Sequence, residues 1–386
     1  MALTRRDLLR AAAASGLAAP LGCSLFQGSD SGSKDLIVHS VSPHNAEPRV
    51  DKLASAWITP YRHFYIRSHG TTPEIDPDAY ALTVEGLVER PLLLRMGDLE
   101  RMPKATAVST LHCAENRKSE HDQARRVEGI PWEAGAVGTA EWRGPALGAV
   151  LARSGLKPAA KHVWLEGLDA VTLQDRQTLF GGTVPLEKAM KPESMLALEM
   201  NGLPLPREHG YPVRAVIPGH IGARSVKWLG RIVVADRPSE NVFVARAYKV
   251  YPPDATAETI KPATVDPIGE GVLSSVICRP RAGGSIRAGR VELAGYAVPS
   301  GEEGAAIASV QVSGDGGSTW TAAELTGNEA PFAWRLWRAT LELAAGAATL
   351  VVRAVDARGK TQPGTAPWNL LGYLYNGWHR VPVTVL

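Results

Sequence analysis

At a stretch from Tyr251 to Asp266, where Pro252, Pro253 and Pro262 prevent any regular repeat, the pattern of this 386-residue chain changes. Downstream, apolar and polar residues alternate in short runs, as in Val291 to Ala297 and Ala348 to Asp356. Ala306 to Ser313 runs into Gly314-Asp315-Gly316-Gly317 and on to Ser318-Thr319-Trp320, which predicts a β-hairpin. A period of two gives each strand one apolar face, and strands at this spacing satisfy that face by packing two sheets together. Residues 265–386 therefore predict an all-β, immunoglobulin-like sandwich. Upstream the signals interleave. Tyr80 to Gly86 and His162 to Gly167 predict strands, Ala146 to Ser154 a short helix closed by Gly155, and Leu186 to Met190 a helical turn after Pro185. Residues 35–250 thus predict an α+β domain with long loops.

Residues 1–34 predict an export signal and linker. Arg5-Arg6 precede an Ala/Leu/Gly-rich run from Ala11 to Gly22, too short to span a bilayer, and the order of charge, apolar run and small residues suits a twin-arginine signal. A periplasmic location is expected. Cys23 after Leu21-Gly22 suggests lipoprotein processing, although Pro20 departs from the usual pattern. The twin-arginine route suits a protein folded around a cofactor.

Lys plus Arg is 42 against 39 Asp plus Glu, so no basic field points to nucleic acid. The three cysteines, Cys23, Cys113 and Cys278, lie too far apart in sequence for a zinc ribbon, an iron–sulfur cluster or a disulfide scaffold. Cys278 falls in the apolar run Ser274 to Pro280 and reads as packing, as do Trp334 and Trp337.

Two stretches carry chemistry. In Leu111-His112-Cys113-Ala114-Glu115-Asn116-Arg117-Lys118 the cysteine has cations nearby, which favour a thiolate. It is a candidate nucleophile or soft metal ligand. In His209 to Leu229, His209, Arg214, Arg224 and Lys227 stand among glycines, the donors and close backbone that a phosphate-bearing anionic cofactor needs. No Gly-x-x-x-x-Gly-Lys loop is present. A weaker third stretch, Phe64-Tyr65-Ile66-Arg67-Ser68-His69-Gly70, again joins Arg and His to aromatics.

Together these motifs resemble the sulfite oxidase family of molybdopterin enzymes. Leu111 to Lys118 is similar to that family's Leu-x-Cys-Ala-Gly-Asn-Arg-Arg. His209 to Leu229 is similar to its His-Gly-[Phe/Tyr]-Pro-x-Arg-x-x-x-Pro-Gly-x-x-Gly-Ala-Arg-x-Val-Lys-Trp-Leu. Phe64 to His69, Glu199-Met200-Asn201-Gly202, and Trp368-Asn369 with Asn376 to Val381 extend the likeness. The resemblance implies that Cys113 ligates molybdenum beside a dithiolene. It also implies that His69, His209, Arg214, Ser225, Val226 and Lys227 hold the pterin and its phosphate. The implied reaction is two-electron oxygen-atom transfer to sulfur, as in sulfite to sulfate, with electrons leaving to an external cytochrome c. A homodimer formed through the sandwich is expected.

Departures fall on the substrate side. Arg67 keeps one arginine of the implied oxyanion pocket, Lys118 stands for a second, and Leu371 stands where sulfite oxidases carry Arg. No tyrosine occurs in Ser239 to Phe243, where a gap-free match ending at Tyr248-Lys249 puts Glu240 at the active-site position. Glu115 replaces a Gly. Both acids oppose a dianion, which makes an altered substrate, such as a sulfoxide or an organic sulfur compound, a serious expectation. The competing readings are a reductase of the same family acting on an oxyanion or sulfoxide, and a cofactor-binding relic without activity.

Overall fold

Leu82 and Val84 are fully buried on the strand Ala81–Gly86, while Thr83 and Glu85 between them are half-buried, the alternation of a strand with one face on a core. The computed structural model describes residues 34–173 and 176–386, so the expected export signal and Cys23 lie outside the described residues. Ala81–Gly86 belongs to a five-stranded sheet in the order Leu92–Arg95, Ala81–Gly86, Leu229–Ala235, His162–Leu173 and Arg176–Pro185. Only Ala81–Gly86 and Leu229–Ala235 run parallel within it. The helix Leu147–Ser154 repeats apolar residues at helical spacing and packs Leu147, Val150 and Leu151 on the same core. Each such side chain contributes about 1.5–3 kcal/mol by leaving water. Gly155 ends the helix at φ 68°, a conformation a Cβ would strain.

The cysteine loop hangs from a second sheet. Lys104–His112 and Val137–Pro145 pair antiparallel over nine residues each, from Lys104 opposite Pro145 to His112 opposite Val137. That register fixes where the chain leaves the sheet. Cys113 follows at once, its N–H donating to the Ala136 carbonyl at 3.0 Å. His112 also bridges Ile221 in parallel, tying the cysteine loop to the His209–Leu229 stretch. This stretch is a chain of short pieces: the turns Arg207–His209 and Gly222–Arg224, and the strand Arg214–Val216 paired with Met195–Ala197. It folds back on itself at Gly210 (φ 108°), where a Cβ would stand 3.0 Å from Arg214 Cβ and 3.1 Å from Lys227 Cβ.

The C-terminal part is a β-sandwich, as its alternation requires. One sheet orders Ser274–Arg279, Gly289–Val298, Arg335–Leu343 and Glu324–Thr326. The other orders Ser285–Ile286, His379–Val385, Gly346–Asp356, Ile307–Ser313 and Thr321–Ala322. Leu293, Val310, Trp337, Leu350 and Val352 fill the space between them. The expected hairpin forms, with Gln311 opposite Ala322, and its loop is held by the Asp315 carboxylate, which accepts the Ser318 and Thr319 N–H groups at 2.9 Å. Leu53, Ala134 and Val137 share a core with Val276, Cys278, Tyr296 and Trp334, so chain on both sides of the proline-rich stretch packs into one body from Asp35 onward. Cys278 and Trp334 are fully buried there. Among the described residues no helix is long and apolar enough to cross a membrane.

Candidate active site

Three segments distant in sequence meet at one pocket. Arg67, Ser68 and His69 reach it from the first motif, Cys113 from the second, and His209, Arg214, Ser225 and Lys227 from the third. The parallel bridge between His112 and Ile221 is what brings the last two together. A larger cleft of about 1100 Å³ shares none of these residues.

The pocket is lined by cations. Arg214 is buried, and its guanidinium donates to the His209 and Ser225 carbonyls at 2.9 Å each, rather than to a carboxylate. Burial pulls its pKa down to about 10. Lys227 donates to Ser68 Oγ at 2.9 Å and to the Glu208 carbonyl at 2.8 Å. Burial and then Arg214 push its pKa down, while Asp169 pulls the other way. The Ser225 hydroxyl accepts the Ile217 N–H at 3.0 Å, fixing the loop. Burial, then neighbouring cations, hold His69 and His209 well below the ordinary imidazole range, so both are neutral. His69 stacks on Phe180 and makes a 2.8 Å hydrogen bond through Nε2 to the Tyr248 hydroxyl.

Cys113 sits at the centre of this arrangement. The cations next to it in sequence do not activate it. Arg117 turns away, at φ 65°, into a bidentate pair with Glu120 at 2.6 and 2.7 Å. Lys118 is held by Glu115 at 3.2 Å. Burial, and then Glu115, push the thiol up to about 12. Its sulfur accepts the Glu115 N–H at 3.4 Å, and among the described residues no imidazole is hydrogen-bonded to it. The adjacent His112 ring contacts the Asn116 amide at 3.2 Å instead. A nucleophile needs a base in reach, so this geometry favours the ligand role over the nucleophilic one.

Three expected site residues do not line the pocket: Glu240, Val226 and Lys118. Glu240 is a surface residue: its side chain is 80% exposed and paired with Arg237 at 3.3 Å. The cause is local. Asn241 caps the short helix Val242–Ala245, its side chain accepting the Phe243 N–H, which leaves Glu240 outside and turns Phe243 and Tyr248 inward. Tyr248 lines the pocket that Glu240 was expected to reach. The repulsion assigned to Glu240 therefore falls away. Val226 turns its side chain into the core of the five-stranded sheet and does not line the pocket.

Of the other residues expected on the substrate side, only Arg67 lines the pocket, and Glu115 links it to Lys118. Arg67 Nε donates to Glu115 Oε2 at 2.8 Å, and Lys118 Nζ to Glu115 Oε1. Burial opposes the Glu115 charge, but Arg67 and then Lys118 pull its carboxyl down to about 2. Leu371 packs in an apolar cluster with Ala114, Tyr248 and Tyr373.

Comparison with known proteins follows this geometry. Residues 69–243 match the oxidoreductase molybdopterin binding domain, and residues 266–386 the Mo-co oxidoreductase dimerisation domain. The chain is 39% identical to sulfite oxidase of Gallus gallus over 376 residues, 94% of this chain and 81% of that protein. This chain belongs to the sulfite oxidase family. It is 34% identical to the Arabidopsis thaliana sulfite oxidase, covering 90% of this chain and 93% of that one. Against the mitochondrial sulfite oxidase of Homo sapiens it is 43% identical over 91% of its own length, and spans 66% of that longer protein. The crystal structure of the sulfane dehydrogenase SoxCD from Paracoccus pantotrophus superimposes with a TM-score of 0.76 at 29% identity, covering 91% of this chain and 88% of that one.

The cofactor of a sulfite oxidase family chain is molybdopterin, and the donor set here fits it. Among the described residues no cluster of three or more His, Cys, Asp or Glu could hold a metal by itself. One buried thiol suits a metal whose other sulfur ligands come with the cofactor. Arg214 and Lys227 are buried cations facing the pocket, as a phosphate requires. Asp169 Oδ1 is buried without a hydrogen-bond partner, and burial raises the carboxyl. Asp169 and Tyr248 both line the pocket and both escaped the sequence reading. Asp169 lies in a strand without a local signal. Tyr248 was within reach, because it ends the very match that pointed to Glu240.

Proposed function

We propose that this chain is a molybdenum-dependent oxidoreductase that oxidises a sulfur compound by oxygen-atom transfer and passes electrons singly to an external c-type cytochrome. Water supplies the oxygen, and two protons and two electrons leave. The observation that carries the reading is one pocket holding a buried, solitary cysteine sulfur beside Arg214 and Lys227, whose hydrogen bonds go to carbonyls and a hydroxyl rather than to carboxylates. In this reading the Cys113 thiolate ligates the molybdenum. Arg214 and Lys227 take the phosphate, and His69, His209, Ser225 and Asp169 orient the pterin. The bound cofactor supplies the two-electron redox centre.

Around it the chain's own side chains hold and orient substrate. Burial keeps the Tyr248 phenol well above its ordinary pKa, so it stays protonated and serves as a hydrogen-bond donor, with His69 as its partner. Arg67, the cation of this group that lines the pocket, is held charged by Glu115 although burial opposes it. Tyr373 stacks on Tyr248 with centroids 5.1 Å apart and backs it from outside the pocket lining. The dimerisation domain match supports a homodimer, and the N-terminal pattern supports twin-arginine export to the periplasm, with a lipid on Cys23 as its finer form.

The test is metal and pterin analysis of the exported protein, followed by stopped-flow reduction of the metal by sulfite and by organic sulfides. Stoichiometric molybdenum, with reduction abolished in Cys113→Ala, is expected. A metal-free or zinc-only protein would overturn the proposal. Leu371 in the apolar cluster favours a second reading, a reductase of the same family, for which a sulfoxide would oxidise the reduced metal.

A further inference from the structure

Arg67 lines the pocket, Lys118 is buried outside its lining, and one buried carboxylate bridges the two. Glu115 is 4% exposed, with Oε2 on Arg67 Nε at 2.8 Å and Oε1 on Lys118 Nζ at 3.2 Å. Both carboxylate oxygens are engaged, one on each cation, as two oxygens of a bound oxyanion would be. The position is fixed by the metal loop itself, since the Glu115 N–H donates to Cys113 Sγ. Arg67 is further restrained because its Nη1 donates to the Ser68 carbonyl at 2.8 Å. Two cations and one anion leave a single net positive charge, and Arg67 Nε and Nη1 are already engaged.

The apolar neighbourhood lies against the same loop. Leu371, Ala114, Tyr248 and Tyr373 form one cluster there, and of these four only Tyr248 lines the pocket.

We propose that Glu115 is a specificity-determining residue: its carboxylate occupies the Arg67–Lys118 pair as a built-in anion, disfavours dianions, the fully deprotonated form of sulfite among them, and reserves the site for a neutral or singly charged sulfur compound. The proposal rests on the oxidoreductase reading and deepens it by naming the substrate's charge class. A dianion must either displace a carboxylate tethered to the metal loop or sit beside it, and like-charge juxtaposition at a desolvated site is strongly unfavourable. A neutral sulfide or a monoanion meets neither obstacle.

The test uses inorganic sulfate as a dianion probe on the molybdenum-loaded protein, by calorimetric titration. Millimolar or weaker binding to the unaltered protein is expected, with affinity about 30-fold or more tighter in Glu115→Gln and Glu115→Gly. Sulfite kinetics should change in the same sense, the gain falling on KM. Micromolar sulfate binding by the unaltered protein would overturn the proposal without any variant. So would variants that retain molybdenum and the native circular dichroism yet bind sulfate within threefold of the unaltered protein. The sulfate measurement needs no turnover, so its failure is distinct from failure of the oxidoreductase reading, which metal analysis and Cys113→Ala report.

Discussion

The Arg117–Glu120 pair joins the cysteine loop to the sandwich, and Glu120→Gln tests how much that joint contributes. Arg117 is fully buried, with Nε and Nη2 on the two Glu120 oxygens at 2.6 and 2.7 Å. Its Nη1 reaches Ser274 Oγ at 3.4 Å, and its guanidinium lies over the Tyr375 ring at 4.9 Å. Glutamine keeps the shape, removes the charge, and turns an amide donor toward guanidinium donors. Breaking a buried pair from one side costs about 3–5 kcal/mol, because the remaining charge is uncompensated. The Glu120 side chain is 18% exposed, so water reaches part of the site, and about 2–3 kcal/mol is the better figure. The unfolding entropy is about 2.1 cal/mol/K per residue, about 0.7 kcal/mol/K for this body, and Tm should fall by about 3–4 °C at neutral pH. Burial opposes the Glu120 charge, but Arg117 holds its carboxyl below the ordinary value. A lowered folded-state pKa stabilises fully above the unfolded value and loses its effect as pH falls through the folded one. The gap between the two proteins should therefore close in acid. Scanning calorimetry at one scan rate, from pH 7 downward, is the assay. A gap under 1 °C at neutral pH, or one that widens in acid, refutes the reasoning.

Other substitutions separate the site from its surroundings. Cys113→Ala should lower turnover by about 10³-fold or more while the protein still unfolds cooperatively, read by steady-state assay and calorimetry. Tyr248→Phe removes one hydroxyl from His69 and from substrate, and kcat/KM should fall about 10–100-fold with molybdenum content retained. Glu240→Ala, by contrast, should leave kcat/KM within about twofold, because the side chain lies in solvent beside Arg237.

Cys113 and the His209–Leu229 stretch were legible in the sequence because their signals are local: a cysteine in a charged run, and cations spaced among glycines. The electrostatics of Cys113 were not legible. Neighbouring Arg117 and Lys118 suggest a lowered thiol pKa, yet each is claimed by a carboxylate, and burial drives the thiol upward. Tyr248 and Glu240 show the same limit. Eight residues separate them, yet Glu240 stands in solvent before the Asn241 cap while Tyr248 reaches the pocket. Val226 stands between two pocket residues and still points into the core.

By itself, the sequence determined the strands, the sandwich and the cofactor-binding segments, since alternation, turn residues and short motifs act over a few neighbouring positions. Only the tertiary structure decided which charges face one another. Pairing of Arg67 with Glu115 spans 48 positions, and the bridge of His112 to Ile221 spans more than a hundred. The balance of charge at the site, and with it the class of substrate, depends on such distant pairs. Electrostatic energy follows distance and burial in space, and neither can be read along the chain.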